Sequence, residues 1–119
     1  MGGAVLVRSG AKRFGQVGEE GPGNAAELDD AAAVFRALAH PVRVRIVSLL
    51  CDGELCVKRM EELLGIPQPS VSQHLTRLRY AGLISAERRG HLVCYRLNEG
   101  PAAAIVAAAL GGARKAKGV

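Results

Sequence analysis

Apolar residues recur at helical spacing through the middle of this chain, then switch to alternation near its C-terminal third. Leu28, Ala31, Ala32, Phe35 and Leu38 form one stripe and predict a first helix from about Ala25 to Ala39. Asp29 and Asp30 lie toward its N-terminal end, where carboxylates are favoured. His40-Pro41 marks a break, and Pro41 suits the first turn of a second helix that runs to Gly53. Its inner face is Val42, Ile46, Leu49 and Leu50, with Arg43 and Arg45 left near solvent. A short linker, Glu54 to Cys56, leads to a third helix with apolar positions Met60, Leu63 and Leu64, closed by Gly65. Pro67 and Pro69 punctuate a turn. In the fourth helix Val71, Leu75 and Leu78 fall on one face, while Ser70, Gln73, His74 and Arg77 fall on another. Gly82 ends it.

The period then changes to two. Leu83 to Arg88 and His91 to Leu97 read as strands around an Arg89-Gly90 turn. Val93, Tyr95 and Leu97 alternate with Leu92, Cys94 and Arg96. Pro101 opens an Ala-rich fifth helix that Gly111-Gly112 should end. The expected fold is mainly α with a small β-hairpin, in which a short helix, a turn and a polar-faced helix make a helix-turn-helix and the hairpin makes a wing. Three regions follow: a Gly-rich flexible arm over 1–24, a winged helix-turn-helix domain over 25–112, and a basic C-terminal tail over 113–119.

Composition supports this picture and narrows the partners. At 119 residues with 49% hydrophobic but only 3% aromatic content, the core must be small and built from aliphatic side chains. A dimer interface would add to such a core. The net charge of +5 favours a polyanionic partner. Between Gly65 and Leu97 the arginines are Arg77, Arg79, Arg88, Arg89 and Arg96, against a single acid, Glu87. Positive charge therefore collects on the two elements that would face DNA, where phosphate contacts supply affinity and base edges supply specificity. The three cysteines, Cys51, Cys56 and Cys94, make no secreted disulfide framework. With no signal peptide and an Ala-rich run too short to cross a bilayer, the chain reads as cytoplasmic with reduced thiols and no membrane partner.

Four segments in order, FRALAHPVRVRIVSLL, GELCV, LLGIPQPSVSQHLTRLRYAGLI and RRGHLVCYRLN, resemble the ArsR family of bacterial winged-helix repressors. The resemblance covers about Glu27 to Leu110. It implies a homodimeric repressor of operator DNA, with the first and last helices forming the dimer interface. It also implies an inducer, often a metal or metalloid ion, that lowers operator affinity. Carried onto this chain, the recognition helix is Ser70 to Tyr80, and the DNA-contact candidates are Gln68, Ser70, Ser72, Gln73, His74 and Arg77. Gln73 can pair with adenine, and Arg77 with guanine or a phosphate. Arg88, Arg89 and His91 on the wing would follow the DNA backbone or minor groove.

The sensing site departs from the family pattern. GELCV resembles the arsenic-sensing Glu-Leu-Cys-Val-Cys motif, so Cys56 matches its first cysteine, but Lys58 stands in place of the second. Trivalent arsenic and soft metals bind two or three thiolates together. The thiols available to complete a site are Cys51, across the second-to-third helix junction, and Cys94. The fifth helix has no His, Asp, Glu or Cys over residues 101–110, so a zinc-type site there is absent. No resident cofactor is required. The expected signal is arsenite or another thiophilic ion; the alternative is thiol oxidation or reactive sulfur on the same fold. A thiol-disulfide enzyme is the remote reading, since there is no Cys-x-x-Cys and no Cys/His/Asp set for nucleophilic catalysis.

Overall fold

The structure, a computed structural model, describes residues 23–116, so most of the expected N-terminal arm and the end of the tail lie outside the described residues. Two compact units divide within the first helix, between Phe35 and Arg36. Helix α1 spans Ala25–Leu38. Its entry is a reciprocal cap: the Glu27 N–H donates to Asn24 Oδ1 (3.0 Å), and the Glu27 carboxylate accepts from the Gly23 N–H (2.8 Å).

From Arg36 onward the elements follow as α2 (Pro41–Leu50), β1 (Leu55–Cys56), α3 (Val57–Leu64), α4 (Gln68–Tyr80), β2 (Ile84–Arg89), β3 (Leu92–Leu97) and α5 (Ala102–Ala116). The helix order, the turn and the hairpin match the expected winged helix-turn-helix. The core is aliphatic: Ile46, Val47 and Leu50 from α2, Met60 from α3, Val71, Leu75 and Leu78 from α4, and Ala102 and Val106 from α5 are all buried. The predicted underside of α4 is thus its observed underside.

Both helices of the helix-turn-helix stop where glycine permits positive φ. Gly65 (φ 66°) follows α3 and donates its N–H to Glu61 O at 2.8 Å. Gly82 (φ 78°) follows α4. There Leu83 N–H donates to Leu78 O (3.0 Å) and Gly82 N–H to Arg79 O (2.9 Å), which satisfies carbonyls the helix leaves open. Leu83 is buried with Leu78, so the chain is turned directly into β2. Asn98 fastens the far end of the hairpin to this corner. Its side-chain amide donates to Gly82 O (2.9 Å), its Oδ1 accepts from the Ser85 hydroxyl, and its N–H donates to Leu83 O (3.0 Å).

Four local expectations need correction. The linker from Glu54 to Cys56 contains a strand: β1 pairs antiparallel with β3, so the sheet has three strands in the order β1-β3-β2. Two isolated residues carry no alternation to read, and only β3 gives them a partner. That pairing sets Cys56 opposite Cys94, and a disulfide joins them. The thiols expected to be reduced are therefore bonded, and Cys51, one of the thiols available to complete a site with Cys56, is free and exposed. Helix α4 begins at Gln68, two residues before Ser70, because Pro69 fits a first helical turn. Helix α5 continues through Gly111-Gly112 to Ala116; glycine weakens a helix interior by only about 1 kcal/mol per residue.

Leu75 is 1% exposed beneath the polar face of α4. Leu75→Ala should destabilise the fold by about 2–5 kcal/mol, read as a lower urea midpoint. Leu92→Ala on the wing, where Leu92 is 43% exposed, should change stability by no more than about 0.5 kcal/mol.

Candidate nucleic-acid interface

Burying Val71, Leu75 and Leu78 turns the opposite side of α4 outward. Gln68, Ser72, Gln73 and Arg77 are exposed, and Ser70 and His74 are half-buried. Gln68, Ser72, Gln73, His74 and Arg77 line one open groove of about 660 Å³ together with Pro69, Thr76 and Arg43. Five of the six helix residues singled out from the sequence are therefore brought together, with Ser70 outside the lining. The Thr76 hydroxyl donates back to Ser72 O at 2.9 Å, so this donor is used within the helix. Amide, hydroxyl, imidazole and guanidinium groups on one face match the donor and acceptor edges of a DNA major groove in kind.

Arg43 belongs to this groove and was assigned to solvent by helical periodicity. Periodicity places a residue on a face; it does not show that a helix more than thirty residues later runs beside that face. Arg43 Nε donates to Ala37 O at 2.6 Å, and Arg43 NH1 contacts His74 Nδ1 at 3.2 Å. A guanidinium can only donate, so Nδ1 must accept. This contact fits the neutral tautomer with its proton on Nε2. The His40 ring lies 4.3 Å from the His74 ring, centroid to centroid, tilted by 42°. His40 is itself fixed, because its Nδ1 caps α2 by accepting from the Val42 N–H at 3.0 Å.

Electrostatics also favour the neutral ring. Partial burial, then His40, Arg43 and Arg77, push the His74 pKa below its ordinary 6.5. Burial and the nearby Arg77 likewise lower Arg43 from its ordinary value. Burial is the larger cause of both shifts, and neighbouring positive charge adds to it; a polyanion would relieve that second part.

The wing residues Arg88, Arg89 and His91 are all exposed. Arg89 is already engaged. It donates to Glu54 through Nε (2.8 Å) and NH2 (3.1 Å), and to Glu87 through NH2 (3.2 Å). The hydrogen bond and charge of Glu54, then Glu87, raise its pKa. Glu54 is distant in sequence, so this loss of free charge on the wing could not be read from the chain. Arg88 has no carboxylate partner among the described residues and remains the freer cation.

The thiols form a separate place. Cys94 is 1% exposed and Cys56 is half-buried, immediately before α3. Among the described residues, no group of three or more His, Cys, Asp and Glu side chains is placed to hold a metal ion. Nor, among them, is any helix long and apolar enough to cross a membrane.

Residues 40–86, from the start of α2 into the wing, match the bacterial regulatory protein arsR family. The chain is 39% identical over 78 residues to the biofilm growth-associated repressor of Xylella fastidiosa, a match covering 66% of this chain and 68% of that protein. The chain belongs to the ArsR family. It is also 47% identical over 79 residues to the transcriptional repressor SmtB of Mycobacterium tuberculosis, covering 66% of this chain and 58% of that protein. The match to SmtB thus spans just over half of that relative's length. Among solved structures, the homodimeric winged helix-turn-helix DNA-binding domain Mb0332 of Mycobacterium bovis superposes with a TM-score of 0.70 at 30% identity, over 83% of this chain and 92% of that one. The family and these relatives are described as transcriptional regulators, the class to which the sequence also pointed.

The Arg43–His74 contact has a measurable consequence. Because the folded state disfavours imidazolium at His74, the unfolded chain binds that proton first. The contribution to stability is complete above about 6.5 and is lost as pH falls through the lowered folded value. In an NMR titration His74 should titrate below 6.5, and Arg43→Leu should move its midpoint upward. A midpoint that does not move would remove Arg43 from this role.

Proposed function

We propose that this chain is a transcriptional repressor that binds operator DNA as a homodimer and is released by a thiol-reactive inducer. The carrying observation is the α4 face, which presents Gln68, Ser72, Gln73, His74 and Arg77 in one groove with Arg43. Gln73 and Arg77 are exposed and carry the two side-chain types best suited to adenine and guanine edges. Ser70, Ser72 and His74 add hydrogen-bonding groups, and Gln68 stands at the helix entry. Arg88 and His91 follow the phosphate backbone from the wing, with Arg89 contributing less because Glu54 and Glu87 already neutralise it.

Dimerisation uses α1 and α5 in this reading. Ala102 and Val106 of α5 are buried, whereas Ala104, Ala107, Ala108 and Ala109 are exposed. An exposed face of small side chains lets a second helix approach closely. Phe35 on α1 is 58% exposed and supplies a large apolar group of the kind dimer interfaces bury. The 1–24, 25–112 and 113–119 division is kept, with the DNA-binding and dimerising elements in its central part.

The inducer acts at Cys56. An arsenite or other thiophilic ion would find two sulfurs, Cys56 and Cys94, facing each other across the β1–β3 ladder once the bond between them is reduced. Cys51, exposed and free, is outside that pair. The second reading, thiol oxidation, is favoured by the bonded state of the same two residues.

Selection of a duplex from a random-sequence library should yield a preferred operator. Affinity for it should fall steeply with salt. Arg77→Ala and Gln73→Ala should each weaken specific binding by about 1–3 kcal/mol with the fold unchanged by circular dichroism. Full affinity in both variants would sink the assignment of α4. Arsenite should release the reduced wild type and leave Cys56→Ser bound.

A further inference from the structure

We infer that Cys56 and Cys94 form a reversible redox staple, oxidised by small hydroperoxides, that couples the helix-turn-helix to its wing. This rests on the operator-binding reading and adds the modification site, the class of oxidant and the coupled elements.

Position carries the inference. Strand β1 has only two residues, and their two register pairs with β3 are Leu55 with Tyr95 and Cys56 with Cys94. Such a short ladder is weak by itself. The residue after Cys56 is the first of α3, so whatever holds Cys56 holds the start of the helix that supports α4. On the other side, Cys94 is the buried residue of β3, the middle strand of the wing sheet. The bond spans 38 residues and closes a loop that contains α3, α4 and β2 entire. A second tie lies beside it: Glu54, two residues before Cys56, holds Arg89 at the tip of β2 through two hydrogen bonds. With both ties made, the approach to α3 is fixed to both strands of the wing. With the disulfide open, an exposed ion pair and a two-residue ladder remain, and both are individually weak.

Burial assigns the order of events. Cys94 is 1% exposed and closed to any oxidant in solution, whereas Cys56 is half-buried. The Cys56 thiolate attacks one oxygen of a hydroperoxide, ROOH. The O–O bond breaks, Cys56 becomes a sulfenic acid, and the alkoxide leaves as ROH with a proton from solvent. The Cys94 thiolate then attacks the Cys56 sulfur. The S–O bond breaks and hydroxide leaves, taking a proton to form water. Two thiols and one ROOH give one disulfide, ROH and water; the thiols lose two electrons and the peroxide gains them. A small dithiol reverses the step by exchange.

Oxidation lowers operator affinity. Seating α4 in a major groove while the wing follows the adjacent backbone requires the two to adjust to each other on both half-sites of a dimer. Opening β1 allows that adjustment and stapling it forbids it.

The test uses the full chain and an operator selected from a random duplex library by the protein in dithiothreitol and, separately, in cumene hydroperoxide. Oxidised wild type should lose 2 hydrogens by intact mass, as two thiols do on forming one disulfide, and bind the operator about tenfold more weakly or worse. Dithiothreitol should restore it. Cys56→Ser should bind equally in both conditions. Cys94→Ala, which keeps an apolar side chain in the buried site, should accumulate a dimedone-reactive sulfenic acid at Cys56. Cys51→Ser should respond as wild type does. A disulfide that forms without changing operator affinity overturns the staple, as does a response that survives Cys56→Ser. A protein that selects no sequence in either state overturns the repressor reading and the staple with it.

Discussion

The buried row Val71, Leu75 and Leu78 is the constraint on which the rest of this molecule depends. A helix with one face against an aliphatic core has its rotation about its own axis set, because turning it would expose apolar area and bury amides and a guanidinium. Gln73 and Arg77 point outward for that reason, with no need for a partner to orient them. The same row sets the wing. Leu78 and Leu83 are buried on either side of the left-handed Gly82, and the backbone bonds at that corner turn the chain into β2 at a fixed angle. Asn98 then closes the hairpin onto the corner, so recognition helix and wing are two ends of one hydrogen-bonded junction.

Charge is layered on this frame with opposite outcomes at its two ends. Where α2 meets α4, Arg43 and His40 crowd against Arg77 and His74, and burial together with this crowding lowers the His74 pKa. The arrangement leaves positive potential unspent in the folded protein and available to a phosphate backbone. At the wing tip, Arg89 is matched by Glu54 and Glu87, so its charge serves the protein's own structure. Free positive charge is thus greater at the groove of α4 than at the tip of the wing.

The thiols join these two ends. Glu54 and Cys56 lie in a segment with no pattern of its own, yet one engages the wing by charge and the other by a covalent bond. In the proposed reading, a signal at Cys56 would reach α4 through α3, and the wing directly through β3. A ligand or oxidant bound there would act on the relation between α4 and the wing instead of on either alone.

Element types, their order, the buried face of α4 and its exposed polar face follow from the sequence, because each depends on local periodicity and on glycine or proline at a defined boundary. Gln73, His74 and Arg77 were legible as a set for that reason, whereas Gln68 came from the family resemblance. The family resemblance located Cys56 but not its partner. What the tertiary structure alone decided are contacts across long separations: Arg43 with His74, Arg89 with Glu54, and Cys56 with Cys94. None of these has a local signature. A two-residue strand shows no alternation, and an arginine on a solvent-side position looks the same whether or not another helix runs past it. The chain thus specified which residues would face outward, and packing decided which of them would meet.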